Sequence, residues 1–286
     1  MSRGVGLSSF VIVAKILSGH APILREFHVA GKAKAMKRPL KLYWFYIRVL
    51  GGFAWRRFTP TVKGLENIPK AGPLILAANH LAVIDDAVIP LTFPRMVHYM
   101  AKEEYFTGKG IRGAFKKFFF TSAGTFPVNR SGGGKSADAL LHAKEILERG
   151  EVFGIHPEGT RSPDGKLYRG HTGAARLALQ TGVSILPVGL IGTNDAQPIG
   201  QVMPKKVHVE IRYGKPIEVE KVENPTHEQV RELTGLMMKK IAELTDQEYV
   251  DEYAQVVKKR MKEEREAQLA AAVASDSAPE AAPKGN

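Results

Sequence analysis

Short apolar runs alternate with segments of helical spacing between about residue 60 and residue 215 of this chain. The apolar runs are four to nine residues long and occupy residues 74–78, 97–101, 125–128, 152–156, 184–192 and 207–214. Runs of this length indicate strands, whereas apolar positions spaced by three to four residues indicate helices, in 85–93, 136–150 and 171–182. Strands that alternate with helices predict the α/β class, here with a central, mostly parallel sheet flanked by helices.

The same pattern divides the chain into four segments. Residues 1–58 form an N-terminal segment, and residues 59–220 form the predicted α/β domain. Residues 221–271 are rich in charged side chains with helical spacing and predict one or two C-terminal helices. Residues 272–286 consist largely of Ala, Ser and Pro, and we expect this tail to be disordered because it has too few apolar residues to form a core.

The N-terminal segment contains a basic, aromatic stretch at residues 34–58. Both tryptophans of the protein lie in it, and seven aromatic residues occur between Tyr43 and Phe58. Arg48 interrupts the apolar run, which is therefore shorter than the roughly 18 uncharged residues that a membrane-spanning helix needs. A basic stripe beside Trp, Tyr and Phe favours a helix lying in the lipid headgroup region. The alternative is a core helix whose basic residues face water.

The net charge of +12 predicts an anionic partner, which could be a nucleic acid, a membrane surface or a phosphorylated substrate. Nine basic residues and no acidic ones lie between Glu26 and Glu66, so the charge is concentrated near the basic aromatic stretch. No helix-turn-helix, zinc-finger or RNA-binding signature is present, so we expect no nucleic acid partner. We expect instead a peripheral or monotopic protein on the cytoplasmic face of the cell membrane.

The first candidate for chemistry is His80, which follows the apolar run 74–78 and precedes Asp85 by five residues. An odd spacing would place the two side chains on opposite faces of a strand, so they can act together only if a loop joins them. A carboxylate beside a histidine can fix its tautomer and make it a general base. The alternative is a structural histidine whose hydrogen bonds are satisfied within the fold. Either Asp85 or Asp86 could be this partner, and the other could cap the helix that follows.

A second polar loop follows the apolar run 152–156 and contains Glu158, Gly159, Thr160 and Arg161. Glycine permits close approach of a ligand to the backbone, and the guanidinium of Arg161 is suited to phosphate oxygens. The alternative is a β-turn with one surface ion pair. Because ligands of α/β sheets bind at the carboxyl ends of strands, we expect both loops to form one site. Further cations could come from two residues that follow apolar runs, Lys102 and Arg130.

Composition and spacing exclude several other kinds of site. The chain has no cysteine, which excludes disulfides, thiolate zinc sites and a cysteine nucleophile. The G-x-S-x-G motif of serine hydrolases is absent. Five residues could in principle gather a metal, but their spacing matches no zinc or EF-hand pattern, so we expect none: His80, Asp85, Asp86, His156 and Glu158.

Four sequence blocks, taken in order, resemble those of the 1-acyl-sn-glycerol-3-phosphate acyltransferase (PlsC-like) family of glycerolipid acyltransferases. "NHLAVIDD" is similar to the family's H-x4-D signature, and "HPEGTRS" to its E-G-T-R block. "GTFPVNR" stands in the place of the G-x-x-F-I-D-R block, and "ILPVGLIGT" in that of the V-P-V block. The block "GTFPVNR" departs from the family at Pro127 and Asn129, which bears on the acceptor that is used.

The resemblance implies an enzyme that transfers an acyl chain to the sn-2 hydroxyl of lysophosphatidic acid and forms phosphatidic acid. His80 and Asp85 would be the catalytic pair. The acceptor would be bound by Lys102, Arg130, Glu158, Gly159, Thr160 and Arg161. Acyl-CoA or an acyl-carrier protein would be the donor, and no cofactor or metal would be required. Two alternatives remain open: the same chemistry on another lysophospholipid or glycolipid, and a basic membrane- or nucleic-acid-binding protein without catalysis.

Overall fold

The structure is a computed structural model. It describes residues 43–45, 47, 49, 51–52, 59–111, 113–114, 117, 121, 124–128, 135–201 and 204–276. Most of the basic aromatic stretch 34–58, Arg130, and the tail beyond residue 276 lie outside these residues. In the part that is described, none of the helices is both long enough and apolar enough to cross a bilayer.

The described residues include short 3-10 turns at Leu65–Asn67 and Glu103–Tyr105 and the following strands and helices. The strands are β1 (Thr61–Lys63), β2 (Leu74–Ala78), β3 (Val97–Lys102), β4 (Phe126–Val128), β5 (Val152–Ile155), β6 (Leu167–Tyr168), β7 (Ile185–Ile191), β8 (Glu210–Tyr213) and β9 (Tyr249–Val250). The helices are α1 (Asp85–Thr92), α2 (Lys135–Glu148), α3 (Gly173–Thr181), α4 (Thr193–Ala196), α5 (His227–Thr245) and α6 (Ala254–Asp276).

Seven strands form one sheet in the order β1-β8-β7-β2-β5-β3-β4, and β6 pairs with β9 in a separate two-stranded sheet. Within the large sheet, only the pairing of β7 with β8 is antiparallel among the described strands. All five residues of β2 are buried, and so are the first six of the seven residues of β7. Central strands of a parallel sheet are covered on both faces, which explains why these two read as continuous apolar runs.

The sheet divides the core into two layers, as the alternation of side chains along β2 illustrates. Leu76 packs with α1 residues such as Ile89 on one face of the sheet. Ile75 packs on the other face with α2, α3 and α5, for example with Met237. Helix α5 therefore covers the sheet directly and is part of the α/β core.

The predicted strands and helices between residues 74 and 214 are all present, and the α/β class with a mostly parallel sheet is confirmed. The pattern did not predict β1, β6 or β9, each of which has only two or three residues. The prediction that the chain is disordered from residue 272 onwards was wrong for residues 272–276, because α6 continues to Asp276. Alanine is the strongest helix former, and "AAAVA" at 270–274 carries the helix on.

Candidate active site

Two loops meet at the carboxyl edge of the sheet, where the neighbouring parallel strands β2 and β5 end. We call residues 79–84, after β2, the histidine loop, and residues 156–162, after β5, the arginine loop. The backbone N–H of His80 donates to Glu158 Oε1 at 2.9 Å, and the N–H of Ser162 donates to the carbonyl of His80 at 2.7 Å. The two loops are thus bound to each other and form one site, as their positions after the strands predicted.

His80 and Asp85 lie side by side, with His80 Nδ1 at 2.9 Å from Asp85 Oδ2. The same oxygen accepts the backbone N–H groups of Leu81 and Ala82 at 2.7 and 2.8 Å, so the loop itself holds the carboxylate in place. Asp85 is fully buried, whereas the His80 side chain is 16% exposed. A carboxylate at Nδ1 requires a proton there, which leaves Nε2 with a lone pair and no hydrogen bond to a described residue.

His156 stacks on His80, with ring centroids 4.0 Å apart and an angle of 13° between the ring planes. Its Nδ1 faces the carbonyl oxygens of Ala78 and Asn79 at 3.1 and 3.0 Å, and its Nε2 lies 3.2 Å from Asp86 Oδ1. Carbonyl and carboxylate oxygens only accept hydrogen bonds, so both nitrogens of His156 must donate and the ring carries a positive charge.

Asp86 pairs with His156 and does not cap α1, which was the predicted alternative. The cap residue is Ile84, and no side chain caps the helix. Although burial lowers the pKa of His156, the hydrogen bond and the charge of Asp86 outweigh burial and raise that pKa to about 9. The second aspartate of "DD" therefore keeps a cation beneath the His80 ring.

The pKa of His80 is lowered below its ordinary value, first by burial and then by the positive charge of His156. The hydrogen bond and charge of Asp85 act in the opposite direction without cancelling these effects. His80 is therefore neutral at neutral pH, which is the state that a general base requires.

Glu158 belongs to the arginine loop, and its side chain is fully buried. One carboxylate oxygen accepts the N–H of His80, and the other accepts the N–H of Tyr168 at 3.0 Å. Burial raises the pKa of Glu158 to about 7, and the two backbone hydrogen bonds oppose that rise. The structure thus places this predicted acceptor-binding residue under the site, where it joins the two loops.

The other residues of the arginine loop lie nearer to solvent. Gly159 is exposed and has a φ of 71°, and a Cβ there would come within 2.9 Å of the ring of His171, so a larger residue would disturb the loop. Arg161 is half-buried and makes no ion pair or hydrogen bond with a described residue. The hydroxyl of Thr160 accepts a hydrogen bond from Lys258 Nζ at 2.7 Å.

The structure describes the position of only one of the two further predicted cations. Lys102 is the last residue of β3, which lies beside β5, so its backbone reaches the same edge of the sheet as the two loops. Arg130 lies outside the described residues. Both assignments stay predictions.

Two residues at this edge were missed by the sequence reasoning. Asn79 is fully buried and bridges β2 to β7: its Oδ1 accepts the N–H of Leu190 at 2.7 Å, and its Nδ2 donates to the carbonyl of Leu190 at 2.9 Å. A polar residue directly after an apolar strand was a signal that could have identified it. No local signal connects Lys258 with Thr160, which is 98 residues away in sequence.

Comparison with known proteins finds relatives of the part of the chain that carries this site. Residues 59–191 match the family model described as Acyltransferase. The 1-acyl-sn-glycerol-3-phosphate acyltransferase of Borreliella burgdorferi is 35% identical over 134 residues, which are 47% of this chain and 52% of that protein. The crystal structure of PlsC, the 1-acyl-sn-glycerophosphate (LPA) acyltransferase of Thermotoga maritima, superposes with a TM-score of 0.55 at 26% identity and covers 82% of this chain and 92% of that one. Residues 59–191 of the chain are thus similar to the acyltransferase domain of the PlsC-like enzymes.

A relative from Bacillus subtilis with the same name is 29% identical and covers 63% of this chain and 84% of that protein. The chain spans about half the length of the first curated relatives that it matches. Both loops of the site lie inside residues 59–191, the segment that matches the model described as Acyltransferase. Residues 196–261, which include α5 and the start of α6, match a second model, described as Diacylglycerol acyltransferase.

Proposed function

We propose that this protein is an O-acyltransferase that transfers an acyl chain from acyl-CoA to the sn-2 hydroxyl of lysophosphatidic acid and forms phosphatidic acid. The observation that carries the proposal is the His80–Asp85 pair, in which Nδ1 is held at 2.9 Å by a buried carboxylate and Nε2 remains available. The relatives from Borreliella burgdorferi and Bacillus subtilis bear the name of this activity.

In this reaction, His80 Nε2 accepts the proton of the acceptor hydroxyl while the hydroxyl oxygen attacks the thioester carbonyl of acyl-CoA. The tetrahedral intermediate then breaks its C–S bond, and the thiolate of CoA leaves with the proton that His80 returns. The charge of Asp85 stabilises the imidazolium that forms between the two steps. No acyl-enzyme is needed, which agrees with the absence of cysteine from the chain.

The phosphate of the acceptor would bind to Arg161, whose guanidinium is not engaged by any described residue. An arginine fork matches two phosphate oxygens at once and so fixes the orientation of the acceptor relative to His80. Lys102 and Arg130 would add positive charge around the same phosphate. Glu158 would act indirectly, because it holds the backbone of His80 against the arginine loop.

The basic aromatic stretch at 34–58 would bring the site to its lipid substrates at the cytoplasmic face of the membrane. Seven aromatic residues beside a row of lysines and arginines fit an interfacial position. Acyl-carrier protein, which also presents a thioester, is an alternative donor to acyl-CoA.

The test is an assay of purified protein with palmitoyl-CoA and lysophosphatidic acid in detergent micelles, with free CoA and the lipid product measured in parallel. We expect phosphatidic acid in amounts equal to the CoA released. We expect Arg161→Ala to raise KM for lysophosphatidic acid by roughly 10- to 100-fold, because it removes a charge-assisted contact. Release of CoA without an acylated lipid would contradict the proposal, since the protein would then be a thioesterase.

A second candidate acceptor is diacylglycerol, because residues 196–261 match the model described as Diacylglycerol acyltransferase. A panel of lysophosphatidic acid, lysophosphatidylcholine, monoacylglycerol and diacylglycerol separates the two candidates. Triacylglycerol as the main product would favour this second candidate and would contradict the lysophosphatidic acid assignment.

A further inference from the structure

The first turns of α6 lie over the arginine loop. Gln255 Nε2 donates to the backbone carbonyl of Glu158 at 3.4 Å, and one turn further on Lys258 Nζ donates to Thr160 Oγ1 at 2.7 Å. The C-terminal helix therefore presents a lysine to the same loop that carries Arg161. This helix lies outside residues 59–191, so the lysine is supplied from beyond the acyltransferase match.

Two cations thus lie close together, and neither has a carboxylate in direct contact among the described residues. Neither Arg161 nor Lys258 makes an ion pair with a described residue. Glu158 is the nearby acid, but both of its oxygens accept backbone N–H groups. Burial lowers the pKa of Lys258 and the charge of Arg161 lowers it further, while the charge of Glu158 opposes this without cancelling it. Like charges held together in a half-buried position repel each other, and an anion between them would relieve that repulsion.

Other lysines of α6 have a different environment. Lys259 lies 3.8 Å from Glu263, and Lys262 lies 3.6 Å from Glu266, each one helical turn away. These side chains are 79% and 76% exposed. Lys258 alone among these three points at the arginine loop, which marks it as a residue placed for a ligand.

We propose that Lys258 is a second phosphate-binding residue and that, with Arg161, it forms a two-cation site for the phosphate monoester of the acceptor. This inference rests on the proposed function and names the group that the site recognises. A phosphate monoester carries a charge of about −1.5 to −2 at neutral pH, so two cations match it, whereas a phosphodiester carries only one negative charge. Arg161 contributes a planar fork and Lys258 a compact charge. The pair would select lysophosphatidic acid over lysophosphatidylcholine and over neutral acceptors.

The test compares Lys258→Gln and Lys258→Arg, with Lys262→Gln as a matched control on the same helix. Binding of lysophosphatidic acid and of lysophosphatidylcholine in detergent micelles is measured by calorimetry, and turnover is measured separately. For Lys258→Gln we expect binding of lysophosphatidic acid to weaken by roughly 10-fold, with lysophosphatidylcholine binding unchanged. In turnover we expect a matching rise in KM for lysophosphatidic acid and an unchanged KM for palmitoyl-CoA. Lys258→Arg should restore most of the binding, and Lys262→Gln should behave as the wild type.

The calorimetric arm separates this inference from the proposed function. If the wild type prefers lysophosphatidic acid but forms no phosphatidic acid, the proposed reaction is wrong, and the effect of Lys258→Gln on binding still decides this inference. Binding of lysophosphatidic acid by Lys258→Gln within twofold of the wild type would overturn it. A wild type that does not distinguish lysophosphatidic acid from lysophosphatidylcholine would overturn it as well.

Discussion

The two edges of the sheet each hold a histidine beside a carboxylate. At the carboxyl edge, His80 Nδ1 lies 2.9 Å from Asp85 Oδ2. At the amino edge, His98 Nε2 lies 3.1 Å from Glu151 Oε2, just before β5 begins. His98 is 1% exposed, and its Nδ1 faces the carbonyl of Gly124 at 3.1 Å, so both of its nitrogens are engaged by protein oxygens.

The difference between the pairs lies in the second nitrogen. In His98 it is satisfied within the fold, and the pair joins the start of β3 to the start of β5. In His80 it is left without a described partner in a side chain that solvent reaches. A histidine next to a carboxylate is therefore weak evidence for catalysis, and an unused ring nitrogen at the carboxyl edge of the sheet is stronger evidence.

The comparison is tested most severely by His80→Ala. Loss of the base should reduce kcat/KM by about 10³-fold, within the roughly 10²- to 10⁴-fold that general base catalysis contributes. The measurement is phosphatidic acid formation, with the melting temperature as a check on folding. Turnover within tenfold of the wild type by a folded variant would show that the free nitrogen is not the base.

Asp85→Asn should have the next largest effect. The amide oxygen can accept the same bonds from Leu81, Ala82 and His80 that Oδ2 accepts now, so the orientation of the ring is retained. The negative charge that stabilises the imidazolium is lost, and we expect kcat to fall by about 10²-fold with little change in KM. A loss as large as that of His80→Ala would indicate that orientation rather than charge is the contribution of Asp85.

Glu151→Gln tests the other edge and should affect stability without affecting catalysis. Although partial burial raises the pKa of Glu151, hydrogen bonds from His98 and Arg149 outweigh it and bring that pKa down to about 2. Because folding lowers this pKa, the ionised carboxylate stabilises the fold at pH values above its unfolded pKa near 4.5. That stabilisation is lost as the pH falls towards 2. With its partial exposure taken into account, the contribution is about 2 kcal/mol at pH 7.

Urea unfolding of the wild type and of Glu151→Gln at pH 7 and pH 3 measures this contribution. We expect the difference in unfolding free energy between the two proteins to be largest at pH 7 and to be smaller but still present at pH 3, because full loss requires a pH below about 2. We expect equal turnover per folded molecule at pH 7. A variant that folds normally but loses activity would contradict the structural assignment of this pair.

The sequence pattern was sufficient for the central strands and for the histidine loop. The bounds of β2 were predicted to the residue, because a buried parallel strand is a continuous apolar run. The odd spacing of His80 and Asp85 required a loop, and the structure has one. These features depend on neighbouring residues, which is the range over which periodicity carries information.

Contacts between distant parts of the chain could not be predicted in this way. The Asp86–His156 pair joins residues 70 apart, and the Lys258–Thr160 hydrogen bond joins residues 98 apart. Both depend on how β5 lies beside β2 and how α6 returns over the sheet. The resemblance to the PlsC-like family pointed to the two loops but not to these two contacts, which set the charges around His80 and Arg161.

His156→Phe should give the smallest effect, a shift of the pH profile. The substitution keeps a flat ring stacked against His80 and removes the positive charge of His156. That charge is the second cause, after burial, of the lowered pKa of His80. Without that charge the protonated form of His80 is easier to reach, so the acid limb of kcat/KM should move to higher pH by about one unit. Activity would be lost below the limb and little changed above it. His142→Phe, a change of an exposed histidine on α2, is the matched control and should leave the profile in place. An acid limb that stays in place or moves to lower pH would show that the charge of His156 is not felt by the base.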